Sequence, residues 1–219
     1  MKKVLIIEDR TQRQEQFLSH TGIKLNEYNF VENKTGISYT KFKENILADI
    51  SILNKYEVII SHRSAFEQDN VRILDLIKQH CKNENKYLIL FSGGITTSYY
   101  GKEPYEQLSL NSKDFYSQNL KLFLDEVDSN NINLLLLAFG KKWKLNAVLN
   151  TLEKLNSLTS DDFDYFDDFY NSTKTNLKTL NEIIDFRDFD SEEFSAKTVD
   201  KVKQKILNHI NDELGIYYE

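Results

Sequence analysis

Three apolar runs stop abruptly at polar clusters, and the rest of the chain is spaced around them. Tyr56-Glu57-Val58-Ile59-Ile60 runs into Ser61-His62-Arg63-Ser64, residues 3–7 end in Glu8-Asp9, and residues 87–91 end in Ser92-Gly93-Gly94. Short runs dominated by aliphatic side chains and bounded by polar residues predict strands buried on both faces, as in the middle of a parallel sheet. Ligands of open α/β sheets bind outside the carboxyl ends of the strands, so the three polar ends predict one shared site.

Between the runs the period turns helical. Residues 10–20 are polar until Phe17 and Leu18, with Asp9 placed as an N-cap. A helix is predicted from near Thr40, where Phe42, Ile46, Ile50 and Leu53 share a face with Leu47 beside them. Another covers 70–82 through Val71, Leu74 and Ile77, with Ile73 alongside. Residues 28–31 read as a short strand. Beyond Gly94 comes a Ser-, Thr-, Tyr- and Gly-rich loop over 95–110 that holds the single proline, Pro104, and then a helix over 112–127. A further apolar strand over 132–139 and a helix over 141–158 follow. The alternation predicts βαβ units with right-handed crossovers. The expected fold is a three-layer α/β sandwich with a parallel sheet of about five strands, covering residues 1–158 with an inserted loop and helix at about 95–127. Residues 159–219 form an acidic, helical C-terminal extension, with helices over 173–185 and 191–214. Asp190 or Ser191 would cap the second, and Glu192 and Glu193 lie in its first turn.

Charge sharpens this division. The net charge is −6, yet residues 159–219 hold seven Lys and Arg against fifteen Asp and Glu, leaving a slight positive excess in the remainder. Nucleic-acid binders need a clustered basic face, so a nucleic-acid partner is not expected, whereas a basic protein partner is. One cysteine, Cys81, excludes a disulfide framework and a multi-cysteine zinc site and fits a reducing cytoplasm. The first residues run directly into a strand, and no apolar stretch is long enough for a signal peptide or a membrane span. The expected location is cytoplasmic.

Candidate chemistry gathers at the strand ends. Glu8 and Asp9 are candidate ligands for magnesium, which takes carboxylate oxygens, or else solvated acids of which one caps a helix. Adding His62 would give a two-carboxylate, one-imidazole set suited to a transition metal. Ser92, Gly93 and Gly94, followed by Thr96, could wrap an anion with backbone N–H groups and hydroxyls, with Arg63 and Lys102 to neutralise it. The alternative is that the glycines let the chain turn off the sheet. Neither P-loop nor dinucleotide spacing is present. No Ser-His-Asp arrangement stands out, no catalytic residue is assigned, and His80-Cys81 reads as structural. In the acidic aromatic stretch 160–170, Phe163, Phe166 and Tyr170 fall at helical offsets. They predict either a core-facing helix or a segment that docks into a basic, apolar groove.

Over residues 2–158 this pattern resembles the receiver domain of bacterial response regulators. In that family an acidic pair ends the first strand and binds magnesium, an aspartate ends the third and accepts phosphate, a Ser or Thr ends the fourth, and a Lys ends the fifth. Here Ile6-Ile7-Glu8-Asp9 matches the acidic pair and Ser92 stands at the hydroxyl position. The acceptor position falls on His62, preceded by Ser61. Ala138 lies near the expected lysine, with Lys141 and Lys142 a turn later. An imidazole cannot form the acyl phosphate that a carboxylate forms. The resemblance therefore implies an atypical receiver-like module, for signalling or scaffolding, that works through protein contacts without aspartyl phosphorylation. The second expectation is a sensor or enzyme that binds a nucleotide or another anionic small molecule at the strand ends. A homo-oligomer is compatible with either.

Overall fold

A computed structural model of the chain describes residues 3–8, 12, 15, 23, 29–31, 38–96, 98–159, 180, 183–189 and 195–214. The chain divides into two compact units, Met1–Lys141 and Lys142–Glu219.

The first unit is an α/β layer structure built on one sheet. Its strands are β1 (Val4–Ile7), β2 (Asn29–Val31), β3 (Val58–His62), β4 (Tyr87–Ser92), β5 (Tyr99–Gly101) and β6 (Gln107–Asn111). They lie in the order β2-β1-β3-β4-β6-β5. Five run parallel, and β5 closes one edge antiparallel to β6. Every residue of β1 and β3 is buried, as expected of strands covered on both faces. The helices are α1 (Tyr39–Ala48), α2 (Asn70–Glu84), α3 (Ser112–Phe115), α4 (Gln118–Asp128) and α5 (Leu134–Phe139). Leu5, Ile7, Ile59 and Leu88 meet Phe42 and Ile46 of α1 and Ile73 and Ile77 of α2 in one core. The opposite face carries Ile6, Ile60, Ile89 and Phe91, and the short helix α3 packs on β4 and β6.

The strand predicted over 132–139 is a helix. Its Leu-Leu-Leu-Leu-Ala-Phe run is apolar all round, and such a run has no period to separate buried helix from buried strand. Local chemistry settles it: leucine and alanine favour helix, the Asn133 side chain accepts the Leu135 N–H, and Gly140 ends the helix at φ +74. The fifth parallel strand is instead β6, inside the region expected to be a loop. Gln-Leu-Ser-Leu-Asn alternates half-buried and buried positions, a period-2 pattern.

Smaller differences have equally local causes. The helix predicted from Thr40 stops at Asp49, whose carboxylate accepts the Ser51 N–H and O–H and so starts a separate 3-10 turn over Ile50–Leu53. The helix over 112–127 divides at Ser117, which caps α4 through the Asn119 N–H. Val71 was placed on the apolar side of α2 but is 73% exposed. At 3.6 residues per turn it lies roughly 160° round the helix from Ile73, which with Ile77 and Cys81 marks the buried side. Of the helix predicted over 10–20, only Gln12 and Glu15 are described, and both are helical.

In the second unit α6 (Trp143–Asn156) packs against α7 (Ala196–Leu214). Ala147, Val148, Leu152 and Leu155 form the buried side of α6, and Val199, Val202, Ile206 and Ile210 that of α7. Thr151 is buried among them with its hydroxyl donated to the Ala147 carbonyl. Lys205 of α7 lies 5.9 Å from the Phe186 ring centre and 5.4 Å from that of Phe189, and pairs with Asp188. Leu180 is helical and buried, while most of the helix predicted over 173–185 lies outside the described residues.

Candidate functional site

Register decides which strand-end residues meet. Ile7 pairs with Ser61, and Ser61 with Leu90, on one face of the sheet. The next residue along each strand therefore faces the other way, so Glu8, His62 and Phe91 share a face. Glu8 is fully buried, and the Tyr116 hydroxyl donates to its Oε2 at 2.7 Å. Tyr116 arrives from the segment that follows β6. Beside it Phe115 stacks on Phe91 at 4.0 Å between ring centres, and Tyr116 meets both rings edge-on. His62, 4% exposed, sets its ring edge against Phe91 at 5.3 Å, and its Nδ1 lies 3.2 Å from Ser64 Oγ. The carboxyl ends of β1, β3 and β4 are thus joined on this face by a buried carboxylate, a phenol, an imidazole and two phenylalanine rings.

The other predicted residues distribute around this cluster. Ser92 follows Phe91 and so belongs to the opposite face, where its Oγ accepts the Gly94 N–H at 3.3 Å and its carbonyl the Ile95 N–H at 3.2 Å. Asn111, at the end of β6, donates through Nδ2 to the carbonyls of Gly93 and Ile95 and braces that turn. Gly93, Gly94 and Thr96 are exposed. Arg63 is exposed too, with its N–H given to the Phe91 carbonyl and its own carbonyl accepting from Asn70. Lys102 is exposed. Ser61 is buried, its hydroxyl donated to the His62 carbonyl. The position expected for the family's lysine, near Ala138, lies on α5 rather than a strand, and past the actual fifth parallel strand the first lysine is the exposed Lys113. Asp9, Phe163, Phe166 and Tyr170 lie outside the described residues.

Neither Gly93 nor Gly94 has a positive φ, and a Cβ at Gly93 would meet nothing within 4 Å. The turn itself does not require glycine at 93. Gly93→Ala is expected to leave the protein slightly more stable, by about 0.4–1 kcal/mol, because it restricts only the unfolded chain. Thermal unfolding of the variant checks this, and destabilisation would show that the turn needs the glycine.

Magnesium asks for near-octahedral oxygen coordination. At the end of β1 the Glu8 carboxylate already accepts the Tyr116 phenol. Among the described residues no three His, Cys, Asp or Glu side chains gather as a metal site. Asp9, the second carboxylate of the predicted magnesium pair, lies outside the described residues.

On α2, His80 and Cys81 are both buried. Burial pushes the His80 imidazole below its ordinary range and the Cys81 thiol up to about 12. Between its ordinary value of 9.0 and about 12, Cys81 keeps its proton in the fold and loses it on unfolding. The unfolded state then binds fewer protons, so this contribution to stability falls as pH rises through that window. Cys81→Ala is expected to flatten the decline in urea stability between pH 9 and 11; an unchanged slope would contradict the assignment.

Tyr116, Phe115 and Asn111 belong to the strand-end arrangement without being among the predicted site residues, and Ser64 stood in a predicted polar end with no role assigned. Tyr116 reaches Glu8 across 108 residues, a separation no local pattern encodes. Asn111 carried a signal in the alternating β6 run. Among the described residues no helix is long and apolar enough to cross a membrane. Comparison with known protein families, curated proteins and solved structures gives no match.

Proposed function

We propose that this chain is a receiver-like α/β module that signals or scaffolds through protein contact, independently of aspartyl phosphorylation. The observation that carries this reading is the condition of the strand ends. The residue at the acceptor position is His62, nearly enclosed, and the Glu8 carboxylate beside it is fully buried under Tyr116. Neither is an aspartate open to a phosphodonor. The parallel strands, numbered among themselves in chain order, run 2-1-3-4-5, the order of flavodoxin-like sheets, which supports the family resemblance. The partner would be a protein with a basic, apolar surface. The acidic residues of 159–219 would steer it, and Phe163, Phe166 and Tyr170 would anchor it.

Intact-mass measurement after incubation with acetyl phosphate and magnesium tests the phosphorylation half of this reading. The chain is expected to gain no phosphoryl group, and a stable phosphoaspartate would contradict it. A second reading, a sensor or enzyme for a nucleotide or another anionic small molecule, draws on the exposed Gly93-Gly94 turn and the exposed Arg63 at the neighbouring strand end. Against it, the Gly94 and Ile95 N–H groups are already given to Ser92.

A further inference from the structure

Beyond the contact reading, we infer that Ser64 is a reactive nucleophile, activated by His62, which takes an acyl group from a small activated ester. A serine hydroxyl is a weak nucleophile until a base stands within hydrogen-bond reach and is itself held in place. Ser64 Oγ lies 3.2 Å from His62 Nδ1. The two groups differ in the way such a pair requires: the imidazole belongs to a residue 4% exposed, fixed edge-on against Phe91, whereas Ser64 is exposed and open to a substrate. The sequence hides the pair, because a histidine and a serine two residues apart form no recognised motif.

The turn that carries Ser64 is braced on both sides. The Ala65 N–H closes it on the His62 carbonyl, and the Arg63 N–H binds Phe91 on the neighbouring strand. Asn70 at the start of α2 donates to the Arg63 carbonyl and accepts the Phe66 N–H. The Tyr39 hydroxyl donates to the Ala65 carbonyl. Ala65 and Phe66 are fully buried, so the backbone on the far side of Ser64 is anchored in the core. A hydroxyl on a rigid strand-to-helix turn, beside an imidazole with restricted motion, has its attack geometry set before a substrate arrives.

The step balances with the two residues and the ester alone. With the imidazole proton on Nε2, Nδ1 accepts the Ser64 O–H. As Oγ bonds to the ester carbonyl carbon, the hydroxyl proton passes to Nδ1. The bond from that carbon to the ester oxygen then breaks, and the alcohol leaves with the proton, which restores neutral imidazole and leaves an acyl ester on Ser64. Positioned base catalysis of this kind contributes about a hundredfold or more.

The test is acetylation of the full chain by p-nitrophenyl acetate, followed by mass spectrometry of the peptide containing Ser64. In the native protein Ser64 is expected to gain one acetyl group about a hundredfold faster than the same serine in the chain unfolded in urea. Ser64→Ala, at an exposed position, should fold and lose that acetyl group. His62→Gln, where it folds, should slow the reaction to the unfolded rate. Equal native and unfolded rates, acetyl groups confined to lysines and the amino terminus, or an unslowed folded His62→Gln would each overturn the assignment. Should His62→Gln fail to fold, the comparison of native and unfolded rates decides alone.

Discussion

Phe91→Ala is expected to lower the free energy of unfolding by about 3–5 kcal/mol. Phe91 is fully buried at the end of β4 and is the ring on which Phe115, Tyr116 and His62 all converge. Removing it forfeits its own burial and leaves a cavity between strand ends whose backbones are held in the parallel ladder, so little collapse can fill it. Urea unfolding with an unchanged m-value is the measurement, the midpoint alone moving. A loss below about 1 kcal/mol would mean that the rings are not packed as described.

Tyr116→Phe follows, at about 1–3 kcal/mol. The substitution keeps the ring and removes only the hydroxyl that donates to the fully buried Glu8 carboxylate. A buried acceptor that loses a donor loses stabilisation it cannot recover from water. A double-mutant cycle with Glu8→Gln separates this from packing, since the Tyr116→Phe cost should change in the Gln background if the two groups act as a pair. Strict additivity would show that the hydroxyl and the carboxylate do not communicate.

These two residues also show what the sequence could and could not disclose. The central strands were readable because aliphatic runs stopping at polar clusters carry their own boundaries, as in Val58 to Ser61. The first strand was readable for the same reason, whereas residues 28–31 carried no such run and read only as a short strand. Leu134 to Leu137 misled because an unbroken leucine run has no period, and the decision passed to Asn133 and Gly140 at its ends. The fifth parallel strand accordingly lies about 25 residues before the predicted one, at Gln107–Asn111.

At the site, Glu8, His62 and Ser92 were legible as strand-end residues, but their grouping depended on register. A shift of one residue reverses a side chain, which is why His62 shares a face with Glu8 while Ser92 points away. The partners that fill the cluster, Phe115 and Tyr116, come from the start of the helix predicted over 112–127, whose position depends on β6. Ser64 escaped for a different reason: its proximity to the His62 ring is a property of the turn, not of composition.

Native mass spectrometry of the protein purified gently from its own cells tests the contact reading most directly, since it reports protein partners, bound small molecules and stoichiometry together. The expected result is a complex with a second protein, without added small-molecule mass, that is lost when Phe163, Phe166 and Tyr170 are replaced together by Ala in a chain that still folds. A chain that carries the mass of a nucleotide or a metal ion and no protein partner would contradict it, and would favour a ligand at Arg63 and the Ser92-Gly93-Gly94 turn.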